Sequence, residues 1–135
     1  MDRTTGRADH IEDVLIHLHE EQWFGWSDPT DKVYANLILN PKIWDSSYEG
    51  TEHEGGLIDN PHSKPTEKSL TDALAKQQSD FDAQEYSRER AWEYPSTGDQ
   101  MDMIYKDNKN STTTHAAAVE AVKTKWPKDN SGPVE

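Results

Sequence analysis

Residues 93–128, EYPSTGDQMDMIYKDNKNSTTTHAAAVEAVKTKWPK, decide the fold class. Tyr94 stands before Pro95, which disfavours helical geometry at Tyr94 and closes whatever helix precedes it. Ser96 followed by Asp99 has the spacing of a capping box, with Asp in place of the usual Glu or Gln. Met101, Ile104 and Tyr105 then line one face of a helix of roughly ten residues. KDNKNSTT is a polar turn, and Thr113 or Thr114 caps a last helix with Ala118, Val119, Val122 and Trp126 on its inner face. Pro127 stops it. Two short helices cannot persist on propensity alone, so the punctuation and mutual packing must hold them. The stretch contains no nucleophile, metal-ligand pattern or phosphate loop, and so reads as a docking module.

Working toward the N-terminus, Thr66 caps a long helix, EKSLTDALAKQQSDFDAQEYSRERAWEY, with acids in its first turn. Leu70, Ala73, Leu74, Gln77 and Phe81 form its narrow apolar stripe, which needs a partner surface. Residues 40–65 are rich in Gly, Pro, Ser, Asp and Asn, with isolated apolar anchors at Ile43, Trp44, Tyr48, Leu57 and Ile58. A structureless stretch of that length is uncommon inside a compact domain, so an extended arm is expected. Val33 to Leu39 reads as a short strand, with a buried helical turn as the competitor. Residues 1–8 are polar and loose. From Asp9, a plausible N-cap with Glu12 three residues on, the spacing of Ile11, Val14, Leu15 and Leu18 predicts an amphipathic helix to about Gln22. Gly25 and the turn signal Ser27-Asp28-Pro29 follow.

The expected fold class is therefore mainly α: a small helical protein with a C-terminal helical hairpin, a long loop or arm, and at most one short strand or hairpin. The expected segments are 1–39 (helix plus short strand), 40–65 (arm), 66–94 (long amphipathic helix), 95–128 (docking module) and 129–135 (tail).

The composition bounds the core. Leu, Ile, Val and Phe number 20 in 135 residues, below the roughly 20% at which high net charge begins to suggest disorder. Five Trp and five Tyr push back, because each can bury about 150–250 Å². Small patches of core are expected, of the kind more easily stabilised inside an assembly than alone. Residues 1–100 carry 21 acids and 9 bases (−12), while residues 101–135 carry 5 of each. Such an acidic surface repels phosphates, so neither nucleic acid nor an anionic membrane is an expected partner. The chain has no Cys, hence no disulfide, thiol nucleophile or Cys metal site. No segment approaches the ~18 apolar residues of a membrane span, and the N-terminus lacks a signal peptide's apolar run. A soluble protein made in the cytoplasm is expected.

The chemistry-bearing residues form no constellation. His17 and His19 lie about 200° apart on a helix and cannot share a metal there. His53-Glu54 has no second spaced pair. Close carboxylate pairs such as Glu20-Glu21, Glu52/Glu54, Asp80/Asp82 and Asp99/Asp102 are expected by chance among 26 acids. Gly55-Gly56 belongs to no phosphate-binding motif, and no Gly-x-Ser-x-Gly elbow occurs. No catalytic residue, metal site or cofactor is assigned. The cluster Trp23, Phe24 and Trp26 reads as core, as a protein-interface hot spot or as a sugar-stacking platform.

The module Tyr94, Pro95, Ser96, Asp99, Gln100, Asp102, Tyr105, Thr112 to Thr114 and Lys125 to Lys128 resembles the C-terminal module of small tailed-bacteriophage proteins, marine and cyanobacterial phages especially. KPTEKSLTDALAK is similar to the segment that precedes it there, so the resemblance covers residues 64–128. An apolar residue commonly stands in that family where this chain has Thr97, and local packing is expected to differ. The resemblance implies a virion protein of the tail, baseplate, fibre attachment or neck, with other phage structural proteins as partners and no catalytic residues. An assembly chaperone absent from the mature particle is the alternative. Interface anchors are expected among Trp23, Phe24, Trp26, Trp44, Leu74, Phe81, Trp92, Tyr94, Tyr105 and Trp126.

Overall fold

The computed structural model describes residues 1–44 and 56–135. The expected anchor Tyr48, the His53-Glu54 pair, the Glu52/Glu54 pair and Gly55 lie outside the described residues. Helices make up about half of what is described, so the protein is mainly α. The chain divides into two compact units, Met1–Gln78 and Ser79–Glu135.

The first unit begins with α1, Ile11–Leu18. Its N-cap is His10, not Asp9: the His10 Nδ1 accepts from the Glu12 amide at 3.0 Å, and the Asp13 carboxylate accepts from the His10 amide at 3.2 Å. The helix ends four residues short of Gln22, and Glu21 turns the chain with a left-handed φ of 65°. Strand β1, Phe24–Trp26, pairs antiparallel with β2, Leu37–Leu39, placing Phe24 opposite Leu39 and Trp26 opposite Leu37. The predicted Val33–Leu39 strand is half a 3-10 turn (Tyr34–Asn36) and half β2.

The expected arm is corrected more deeply. Strand β3, Lys42–Trp44, pairs antiparallel with β4, Leu57–Asp59. The isolated apolar anchors are strand partners: Ile43 faces Ile58 and Trp44 faces Leu57. Among the described residues there are thus two strand pairs where at most one was expected. Two asparagines hold the pairs together. Asn60 Nδ2 donates to the carbonyls of Trp23 (2.7 Å) and Asn40 (2.8 Å). Asn40 Nδ2 donates to those of Gln22 (2.6 Å) and Phe24 (3.1 Å). Short strands leave carbonyls without ladder partners, and these amides satisfy them, adding at Trp23 a second donor to the Asn40 backbone amide at 3.0 Å. Val14, Leu15, Trp23, Leu37, Ile43 and Leu70 form the core, with Ile11, Phe24, Trp26, Tyr34, Ala73 and Leu74 packed around it. Leu70 is supplied by α2, Glu67–Ala83, whose first turn is capped by Thr66 Oγ1 accepting from the Ser69 amide.

In the second unit the predicted 66–94 helix proves to be broken. α3, Glu85–Glu93, starts after Gln84, which leaves helical geometry at ψ 10°. Asn130 fits this break: its Oδ1 accepts from the Tyr86 amide at 2.9 Å, and its Nδ2 faces the carbonyls of Asp82 and Ala83. α4, Thr97–Asn110, has Ser96 as N-cap, accepting from the Asp99 amide. It runs to 14 residues, longer than its spacing suggested. α5, Thr114–Lys125, starts beside Thr113, yet neither threonine hydroxyl caps it through its own side chain. The Asp107 carboxylate of α4 does so instead, accepting from the amides of Thr114 (3.0 Å) and His115 (2.9 Å) and from both threonine hydroxyls, Thr112 and Thr114. Those hydroxyls hold the Asp107 carboxyl far below the usual carboxylate range. α4 and α5 are in contact. The inner face of α5 is as predicted, with Val122 buried and Ala118, Val119 and Trp126 half-buried.

Candidate functional site

Core formation consumes some of the expected anchors and leaves others on the surface. Trp23 is fully buried at the centre of the first unit, so it serves packing and has no surface to offer a partner. Leu74 is half-buried against the same core. Phe24 and Trp26 are half-buried, with their rings nearly perpendicular and 6.2 Å apart. Trp44 is exposed on β3. In the second unit Phe81 is half-buried beneath the Arg88 guanidinium, 3.7 Å from the ring centre. Tyr94 and Trp126 are also half-buried. Arg90 donates from Nε to the Trp126 carbonyl at 2.8 Å, and Lys125 pairs with Glu93 at 2.6 Å.

Trp92 and Tyr105 differ from all of these. Trp92 is 86% exposed and Tyr105 64%, alongside Met101 at 66% and Ile104 at 43%. α4 therefore turns its apolar face outward, while Gln100, Met103 and Asp107, on the other side, are half-buried. Gln100 donates to the Pro95 carbonyl (2.8 Å) and lies 3.1 Å from the His115 ring nitrogen. The unit has one buried apolar residue, Val122, and holds its helices largely through such polar contacts. This combination was invisible in the spacing of Met101, Ile104 and Tyr105. Periodicity reports that a face is apolar, not whether it faces inward.

Two grooves flank the turn after α1 in the first unit. One, of about 370 Å³, lies between α1 and β1; Ile16, Phe24 and Trp26 form its floor, and Glu12, Glu20 and Glu21 its rim. The other, of about 300 Å³, is lined by Glu20, Glu21, Trp44 and a stacked histidine pair. The rings of His19 and His62 lie 3.6 Å apart and nearly parallel, with His19 set edge-on to Trp23. Burial, followed by the like charge of His62, lowers the pKa of His19. Nothing in the sequence hinted at this pair, whose members stand 43 positions apart. The remaining described histidines are accounted for: His10 caps α1, His115 meets Gln100, and His17 is exposed. Among the described residues no group of three or more His, Asp and Glu is placed to hold a metal ion. No described helix is long and apolar enough to cross a membrane.

No protein-family model matches the chain, and no curated protein or solved structure shows significant similarity to it.

Proposed function

We propose that this chain is a structural component of a tailed-phage particle. It would sit in the tail, baseplate, fibre-attachment or neck region and act through contacts with other phage structural proteins. It has no catalytic step, cofactor, nucleic-acid partner or membrane partner. Residues 95–128 are its helical-hairpin docking module.

The observation that carries the docking role is the exposure of Trp92, Met101, Ile104 and Tyr105 on a unit with a single buried apolar residue. Large aromatic side chains with Met are the composition of interface centres, and apolar surface is costly to leave in water. The assignment to a phage rests on the resemblance of residues 64–128.

Quantitative mass spectrometry of gradient-purified particles tests it, with copies normalised to a known tail protein. A fixed copy number is expected, such as a multiple of the particle's tail symmetry. Presence in infected lysate with absence from particles would replace this reading with the assembly chaperone. Absence from both would overturn it.

A further inference from the structure

The groove between α1 and β1 has a chemistry that the docking face of α4 lacks. Its floor is apolar and aromatic: Ile16 is half exposed, and Phe24 and Trp26 present two perpendicular ring planes. Its rim is anionic. Of the three carboxylates there, Glu12 is engaged by Lys32 at 3.0 Å. Glu20 and Glu21 have no Lys or Arg partner among the described residues, and residues 45–55 contain neither residue type. Glu21 is also held in left-handed geometry, a conformation costly for a residue with a Cβ. His19, lining the same groove with its pKa lowered, brings no positive charge there at neutral pH.

We propose that this groove binds an arginine side chain presented by a basic partner protein. The guanidinium is the group whose flat face stacks on aromatic rings while its edge donates to carboxylates, so floor and rim are engaged together. At about 370 Å³ the groove is near the small end of ligand clefts (roughly 300–1,000 Å³), suited to one side chain and its flanking backbone. A second copy of this chain is a poor occupant, because each copy carries a net charge of −12. The inference stands on the first unit alone and does not require the phage reading.

The test uses the full 15N-labelled chain titrated with acetylated, amidated Ala-Ala-Arg-Ala-Ala and followed on its five indole N–H resonances. The Trp26 indole and the Ile16 amide should shift while the Trp92 indole stays fixed. A peptide with norleucine in place of arginine should bind about tenfold more weakly, as should the native peptide to Glu20→Gln/Glu21→Gln. Glu85→Gln/Glu120→Gln removes the same charge elsewhere and should leave binding unchanged. Ile16→Ser, at an exposed position and therefore expected to stay folded, should weaken binding through loss of the floor. The proposal is overturned by a fixed Trp26 resonance, by equal binding of the norleucine peptide, or by equal weakening in the two double variants. A lysine peptide binding as tightly as arginine would overturn the choice of a guanidinium.

Discussion

Asn60 ties the two strand pairs of the first unit together. Its amide nitrogen serves two backbone carbonyls, Trp23 and Asn40, while its oxygen accepts from the His62 amide at 2.9 Å. Asn60→Asp keeps the shape and the acceptor but replaces the donor with a second acceptor aimed at two carbonyls. The unit should lose about 2 kcal/mol, from the Asn40 carbonyl left unsatisfied at about 1–3 kcal/mol, while the Trp23 carbonyl keeps its bond from the Asn40 backbone amide at 3.0 Å. Urea unfolding followed by Trp fluorescence reads this, and an unchanged midpoint would mean the staple contributes nothing. The stacked histidines carry the second residue-scale prediction. His19 is neutral in the fold at a pH where the unfolded chain, with an ordinary value of 6.5, takes up a proton. The unfolded state therefore binds more protons, and stability rises with pH. This contribution is complete above about pH 6.5 and is lost as the pH falls below it toward the lowered folded value. The thermal midpoint should drop between pH 7.5 and pH 5.5, and His62→Gln should reduce the drop by removing the like charge. Equal slopes in the two proteins would rule the pair out as the cause.

At the scale of elements, the second unit is held by side chains acting at helix ends. Asp107 caps α5 from α4, Arg90 satisfies the carbonyls of Lys123 in α5 and of its C-cap Trp126, and Asn130 occupies the break between α2 and α3. With so little burial, helix formation here depends on caps, since short helices are marginal on propensity alone. Asp107→Ala should fray α5 and lower the helical circular-dichroism signal and the melting temperature, with Asp107→Asn intermediate because one acceptor oxygen remains. The carboxyl is also held low, so its contribution is present above the ordinary carboxylate range and is lost as the pH falls through that range and below. The acid dependence below pH 4 should therefore be shallower in Asp107→Asn. The helix starts at Thr66 and Ser96 were legible because an N-cap is a local event within four residues. The cap of α5 was not, because its acceptor and donors are seven and eight residues apart across a turn. A strand was legible at Leu37–Leu39, but the two pairings were missed for the same reason. Three-residue strands are too short for alternation to register, and their pairing is a relation between distant segments.

For the whole molecule, the division of labour runs between a unit with a core and a unit without much of one. The second unit's Trp92 and Tyr105 are exposed, and in the proposed function they serve docking. Trp92→Ala/Tyr105→Ala should change the melting temperature little, since surface substitutions stay within about 0.5 kcal/mol, and should prevent incorporation into particles. A large loss of stability would show the pair to be structural. The sequence by itself determined that the protein is mainly helical, acidic and thin in core, and it determined the helix starts at Thr66 and Ser96 and the inner face of α5. These are consequences of composition, periodicity and local hydrogen bonding, which a chain carries along its length. Only the tertiary structure decided that Trp23 is core while Trp92 is surface, that the expected arm contains paired strands, and that His19 stacks on His62. It also turned Met101 and Tyr105 outward and gathered Glu20, Glu21, Phe24 and Trp26 around one groove. Burial and pairing belong to residues brought together from afar, and an apolar pattern is the same whichever way its face is turned.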